Sequence, residues 1–383
     1  MTPTTLLLFL IAFLVGSDEF LLGPILTPVG ADLGVAPERI TLFIGAYALP
    51  VALLAPAFGA LSDRHGRRAV LLPAVALFCL GSLGTAAAPG YGLALLTRVV
   101  TGIGAAGLLP VAFACAADSG PARAPVNIAA VQAGLTGGII LAPLYGAWVT
   151  GLFGWQWAFA GLALAAALTL PGLTRLRGGA APAGAAPSGP VLVPGAPGAI
   201  LAMGFGLGGA VGVYALAGER LRDLTGLETG GVGLIYAGFG LLTLVGNLLM
   251  PRVLDRARDG RQVMQLCLYG VLAAIVALFA LPLGPLAACL ALVFWAVLGG
   301  LGAPALQNHI ATLSERRRGT LMALGASALN LGVALWSTLA GIGFALSPAL
   351  VAGQAAVTIG IAIVALAPRR GRQQAGCVTP HVR

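Results

Sequence analysis

The chain has 383 residues, of which 58% are hydrophobic and only 9% are charged. A soluble domain carries about 25% charged residues, so this composition excludes an ordinary soluble protein and predicts a chain that is solvated by lipid. The net charge of +9 does not indicate a nucleic-acid-binding protein, because the charges fall in short loops between long apolar runs.

Twelve apolar segments are long enough to cross a bilayer, which takes about 20 helical residues. The longest connection between them, 174–195, is rich in Gly, Pro and Ala and predicts a flexible linker. The predicted membrane helices, numbered 1 to 12 in chain order, are 5–27, 40–61, 69–88, 91–117, 126–150, 155–173, 196–217, 229–251, 263–282, 285–312, 319–345 and 348–367.

Helix 1 carries two adjacent acids, Asp18 and Glu19, in an otherwise apolar run. The run lacks a basic start, and acids stand where a cleavage site would be, so we interpret it as a retained helix rather than a signal peptide. Neighbouring side chains on a helix point about 100° apart. Asp18 therefore shares an aliphatic stripe, whereas Glu19 shares a stripe with small residues such as Gly16 and Gly23. We expect Glu19 to face the packed, cavity-lining side.

The connection after helix 2 reads GALSDRHGRR and spans residues 59–68. Its arginines suit the negative end of a helix dipole and the lipid headgroups, but Asp63 does not. Asp63 therefore needs a partner, either an arginine or the N-terminus of another helix. The alternative is that the cluster only anchors the topology.

Helix 4 contains Arg98, which should face protein or a water-filled cavity and find a partner. At 1.5 Å per residue, Glu19 lies about 21 Å along helix 1 and Arg98 about 20 Å from the same membrane face. The similar depth favours a Glu19–Arg98 pair, direct or through water. Asp18 is then the odder acid: either it stays protonated or helix 1 is rotated from this placement.

Other polar residues within the helices are candidates for a substrate cavity or for hydrogen bonds between helices. We favour Gln132, Tyr214 and Asn330 as cavity residues. A cavity with so few fixed charges suits a neutral or lipophilic cationic substrate better than an anion.

The arginines predict the orientation, with both chain termini in the cytoplasm. On that assignment the outer loops hold only Arg39, Arg220 and Arg222, whereas the cytoplasmic side holds every other arginine except Arg98. This asymmetry is typical of a cell-membrane protein that obeys the positive-inside rule.

An internal repeat divides the chain into two sets of six helices. Asp63-Arg64 recurs as Asp255-Arg256, and the helix 4 segment 102–110 recurs in helix 10 as 300–308. The predicted domains are therefore 1–173, the linker 174–195, a second bundle at 196–367 and a cytoplasmic tail at 368–383. In transporters, such halves meet at a substrate site near the bilayer midplane.

These features resemble the major facilitator superfamily. The resemblance implies an all-α membrane protein with twelve helices in two pseudo-symmetric six-helix bundles. It also implies that Asp63 and Arg67 latch the two halves together on the cytoplasmic side in the outward-facing state. The loop matches the family signature G-x-x-x-D-R-x-G-R-R at Gly59, Asp63, Arg64, Gly66, Arg67 and Arg68.

Three further segments resemble motifs of the family. Residues 16–20 resemble the G-x-x-E-F pattern of bacterial sugar and drug efflux proteins, with Glu19 as the acid. Helix 5 resembles the antiporter signature G-x-x-x-G-P-x-x-G-G at Gly138, Pro143 and Gly146, with alanine at two of the glycine positions. Helix 4 resembles the motif R-x-x-x-G-x-G at Arg98, Gly102 and Gly104.

The function predicted from these residues is proton-coupled efflux by alternating access. Glu19, alone or with Asp18, would take up a proton from outside, and Arg98 would modulate its release. A permanently paired structural carboxylate is the alternative role for Glu19. Import of a sugar or another small nutrient is the alternative function.

Other classes of protein fit the sequence less well. An enzyme is not predicted, because the chain has no nucleotide-binding loop and no cluster of acids and histidines. The cysteines lack metal-ligand spacing, so we predict no metal and no cofactor. A sensor that no longer transports is disfavoured by the intact Glu19 and Arg98. The expected state is a monomer whose partners are a small molecule, protons and the lipid bilayer, with no nucleic acid.

Overall fold

Within the residues that it describes, the computed structural model of the protein has twelve helices long and apolar enough to cross a membrane, which confirms the predicted number. The structure describes residues 2–120, 122–175, 193–257, 259–314 and 317–367. Most of the predicted linker and all of the predicted tail lie outside these residues. Helices 1 to 12 are Pro3–Leu33, Pro37–His65, Arg67–Ala86, Tyr91–Ala117, Ala124–Phe153, Trp155–Thr174, Ala196–Thr225, Thr229–Ala257, Gly260–Ala280, Pro285–Thr312, Arg318–Leu346 and Pro348–Ala365.

Helix 1 is interrupted near its far end. Regular helix ends at Phe20, a tight turn covers Gly23–Ile25, and the helix resumes at Leu26. The sequence explains the break because Pro24 has no N–H to donate to the preceding turn. Pro28, four residues later, cannot donate to the carbonyl of Pro24 for the same reason. That carbonyl is therefore free for a partner from outside the helix.

Glycines let the helices of the first half approach each other closely. A Cβ atom at Gly138 of helix 5 would clash with the backbone of helix 1 at Phe13 and Ser17. A Cβ at Gly16 of helix 1 would in turn clash with the Leu135 carbonyl of helix 5. Small residues at such crossings supply the packing that the hydrophobic effect cannot supply inside a membrane.

The internal repeat is visible in these glycine contacts. Gly102 of helix 4 lies against the Tyr47 carbonyl of helix 2. Gly300 of helix 10 lies against the Thr243 carbonyl of helix 8 in the same way. The two contacts place helices 4 and 10 at equivalent positions in their halves.

The two halves meet through helices 2 and 11 and through helices 5 and 8. Gly45 lies against Ala334 and Thr338, and Gly233 lies against Pro143 and Ala147. These contacts lie at the ends of the helices away from the loop 59–68. We call that side the distal end and the side of the loop the arginine-rich end.

Candidate functional site

Arg98 is paired directly with Asp18, so the expected direct pair of Glu19 with Arg98 is wrong. Its Nη1 donates to Oδ1 of Asp18 at 2.8 Å, and Nη2 lies 2.8 Å from Oδ2. Both side chains are buried, with exposed fractions of 1% for Arg98 and 0% for Asp18. The two charges form a buried ion pair inside the first half, between helices 1 and 4.

Aromatic rings complete the surroundings of this pair. The guanidinium carbon of Arg98 lies 4.8 Å from the ring centroid of Tyr47 and 5.5 Å from that of Phe159. Both distances are in the range of cation–π attraction. The Arg98 charge is thus balanced by one carboxylate and two ring faces, which a buried arginine needs.

The aliphatic stripe beside Asp18 explains why the prediction failed. Ile11, Leu14 and Val15 are buried in the first half. Lipid and protein interior are equally apolar, so an aliphatic stripe in a membrane helix does not show which of the two it faces. Within the small-residue stripe, Gly16 serves close packing against helix 5, whereas Gly23 and Glu19 border a narrow crevice.

Glu19 lies between the two halves. It is partly buried and makes no hydrogen bond or ion pair with any of the described residues. It borders a narrow crevice of about 20 Å³. The crevice is otherwise lined by Phe20, Gly23, Ile44, Val211, Tyr214, Ala215 and Val333.

A larger cavity of about 150 Å³ extends from this region into the second half. Phe20 and Tyr214, whose ring centroids are 5.8 Å apart, line both the crevice and the cavity. Of the residues expected to line a substrate cavity, Tyr214 lies here. Gln132 and Asn330 do not line either space, and the Asn330 amide donates to the Ala326 carbonyl at 3.0 Å.

The loop at the arginine-rich end forms a charge cluster within the first half. Arg67 contacts Asp63, donates to Oγ of Ser62 at 2.7 Å and donates to Oδ2 of Asp118 at 2.8 Å. The Asp63 side chain is 55% exposed. Gly66 adopts φ = 90°, a conformation that favours glycine, and so allows the sharp turn between helices 2 and 3.

Two other signature residues of this loop are exposed, and a third is loosely packed. Arg64 and Arg68 are exposed. Outside its own helix, no heavy atom of the described residues lies within 4 Å of where a Cβ of Gly59 would be, so none of the described helices packs closely on it. In this conformation the cluster makes its described contacts inside one half only.

The motif residues of helix 5 serve two interfaces. Gly138 packs on helix 1, and Gly146 packs on Leu21 beside the break in that helix. The carbonyl of Pro143 contacts Gly233 of helix 8, in the other half. Helix 5 therefore joins helix 1 to the second half at the distal end.

A second charge cluster, not singled out from the sequence, joins the halves at the distal end. Oγ1 of Thr27 donates to Oε2 of Glu219 at 2.6 Å and accepts from Nη1 of Arg222 at 2.9 Å. Arg222 also contacts Glu219 and donates to the carbonyl of Pro24. We call these four residues the distal latch. The sequence did contain one sign of this cluster: the four-residue spacing of Pro24 and Pro28 leaves the Pro24 carbonyl free to accept a hydrogen bond.

Comparisons with known proteins agree with this architecture. The family model described as Major Facilitator Superfamily matches residues 8–194. A Multidrug resistance protein B homolog of Mycobacterium tuberculosis is 36% identical over 34% of this chain, and the match spans about a quarter (24%) of that relative's length. The Escherichia coli inner membrane transport protein YdhP is 26% identical, with 91% of this chain and 92% of the relative covered.

The fold is also similar to that of solved transporters. A bacterial homologue of the human lysosomal transporter Spinster, solved in an inward-facing conformation, superposes with a TM-score of 0.73. The match covers 95% of this chain and 93% of the other at 18% sequence identity. At that identity the likeness concerns the fold.

Proposed function

Because the Major Facilitator Superfamily model matches residues 8–194, we propose that this chain is a secondary active transporter of that family that expels a small neutral or lipophilic cationic compound in exchange for protons. Its arginine-rich end would face the cytoplasm, following the positive-inside rule. The apolar cavity beside Glu19 supports a substrate without negative charge.

The observation that carries the proposal is the contrast between the two acids of helix 1. Asp18 is neutralised by Arg98 within one half, so its environment changes little when the halves move. Glu19 is an acid without a described partner between the halves. Burial and nearby charge both set the proton affinity of a carboxyl group, and a movement of the halves alters both for Glu19. Glu19 is therefore the proposed proton carrier.

The two charge clusters suggest how the halves alternate. The distal latch holds the outer ends of helices 1 and 7 together, while Arg67 is engaged within its own half. This arrangement supports a state that is open toward the arginine-rich end. In the opposite state, the Asp63–Arg67 cluster would bind the second half and the distal latch would be broken.

Proton exchange can be measured in inverted membrane vesicles that hold a respiration-driven pH gradient. Uncharged and cationic aromatic compounds are added one at a time, and a pH-gradient dye reports proton efflux from the vesicles. We expect at least one compound to dissipate the gradient when the wild-type protein is present. Vesicles containing Glu19→Gln should not respond, and Glu19→Asp should restore part of the response.

Two controls are needed to interpret the assay. A protonophore must abolish the gradient in every sample, and the variants must reach the membrane in equal amounts. Substrate-dependent proton movement in Glu19→Gln equal to that of the wild type would refute the proposed role of Glu19.

A further inference from the structure

The two halves differ at one equivalent position. Gly102 and Gly300 make the same backbone contact in their halves, to the carbonyls of Tyr47 and Thr243. The residue one helical turn before each glycine therefore occupies the same place in its half. That residue is Arg98 in helix 4, whereas in helix 10 it is Ala296.

The second half has a cavity next to this position. Ala296 lines the cavity of about 150 Å³ described above. Among the residues that the structure describes, no charged side chain lines this cavity. The Thr243 hydroxyl on its wall already donates to the Phe239 carbonyl at 2.9 Å. Most of the wall is therefore apolar, and its polar side-chain groups without a described hydrogen bond include the Tyr214 hydroxyl and the Trp295 indole N–H.

Aromatic rings form one side of the cavity. The ring centroid of Tyr214 lies 4.4 Å from that of Phe239 and 5.9 Å from that of Trp295. Phe239 and Trp295 meet edge to face at 5.9 Å. Such rings attract a further aromatic group by offset or edge-to-face contact. An apolar cavity of this kind can bind apolar molecules.

We propose that this cavity binds the uncharged aromatic part of the transported compound. This inference rests on the proposed function and narrows its substrate class to molecules with an uncharged apolar group. Phe20 and Tyr214 stand between the bound group and the crevice of Glu19. Phe20 directly follows Glu19 in helix 1. A compound that displaces the Phe20 ring therefore disturbs helix 1 next to the proposed proton carrier.

Gly299 offers a way to fill the cavity. It lines the cavity, and a Cβ placed on it would meet only the Trp295 ring, at 4.0 Å. Gly299→Leu therefore adds a side chain without a backbone clash, and Gly299→Ala adds a methyl group. Gly353→Leu is the matched control, because Gly353 is an exposed helical glycine with nothing within 4 Å of its Cβ position.

The experiment is equilibrium binding of N-phenyl-1-naphthylamine, an uncharged aromatic dye, to the full chain in nanodiscs at one pH. Empty nanodiscs correct for dye in the lipid. We expect saturable binding to the wild type and to Gly353→Leu, and at least tenfold weaker binding to Gly299→Leu. Gly299→Ala should fall between them, which keeps the test valid if the leucine variant does not fold.

The outcomes separate this inference from the proposed function. Binding needs no pH gradient, so the comparison of the Gly299 variants with the wild type stands whatever the proton-exchange assay shows. Unchanged affinity in both Gly299 variants overturns the cavity assignment. Dye binding without any substrate-dependent proton movement refutes the transport proposal and leaves the cavity assignment standing.

Discussion

The two halves of the molecule share one helix arrangement but have opposite interiors at the same place. In the first half, Arg98 is buried with Asp18 between two aromatic rings. In the second half, Ala296 leaves an apolar cavity. The comparison suggests different roles for the two halves. The first half holds the buried charge pair, and the second half would bind the apolar compound. Glu19 lies at the boundary between them.

The largest effect should come from breaking the buried charge pair. Asp18→Asn or Arg98→Met leaves one charge without its partner, which costs about 3–5 kcal/mol. Thermal unfolding of the purified protein should show a clear loss of stability for either variant. The double variant Asp18→Leu, Arg98→Met removes both charges and should recover part of that loss.

The neighbouring acid is the control for this prediction. Glu19→Gln changes a residue with no described partner, so its stability should stay within about 0.5 kcal/mol of the wild type. If Asp18→Asn had the same thermal stability as Glu19→Gln, the two acids would not differ in their structural roles, which would contradict this prediction.

A smaller effect should follow from opening the contact between the halves. Arg222→Met removes the hydrogen bonds to Thr27 and Pro24 across the distal end. A hydrogen bond to a charged group contributes about 1.5–3 kcal/mol, so the balance of states should shift at least tenfold toward distal opening. Spin labels at the exposed Ala31 and Leu346 would report this as a population at longer distance.

Arg220→Met provides the matched comparison for Arg222. Arg220 lies two residues away in helix 7, but it donates to the carbonyls of Leu278 and Leu281 within the second half. Its removal should leave the distance distribution across the distal end unchanged. Equal shifts in the two variants would show that Arg222 does not hold the halves together.

The smallest effect on stability is expected at the arginine-rich end. Asp63 is exposed and pairs with Arg67 within the first half, and an exposed pair contributes about 0–1 kcal/mol. Asp63→Asn should therefore hardly change thermal unfolding, while it slows transport because the opposite state loses its latch. If Asp63→Asn transported at the wild-type rate, the loop 59–68 would have no role as a latch in the proposed transport cycle.

Much of this architecture follows from the sequence, because hydropathy and arginine placement are direct consequences of the bilayer. Twelve helices, a partner for Arg98 and a partner for Asp63 were all expected. The identity of the partner of Arg98 was not accessible, since an aliphatic stripe packs equally well against lipid or protein. The distal latch and the apolar cavity depend on contacts between helices that are distant in the sequence. The role of Ala296 becomes apparent only when its position is compared with the equivalent position of Arg98 in the first half.

The most direct test of the account compares proton coupling in Glu19→Gln and the wild type in proteoliposomes with an imposed pH gradient. The flux of one transported aromatic compound is measured with the gradient in each direction and without it. The account predicts that the gradient drives flux in the wild type, whereas Glu19→Gln moves the compound only down its own concentration gradient. A flux in Glu19→Gln that still follows the pH gradient would contradict the account.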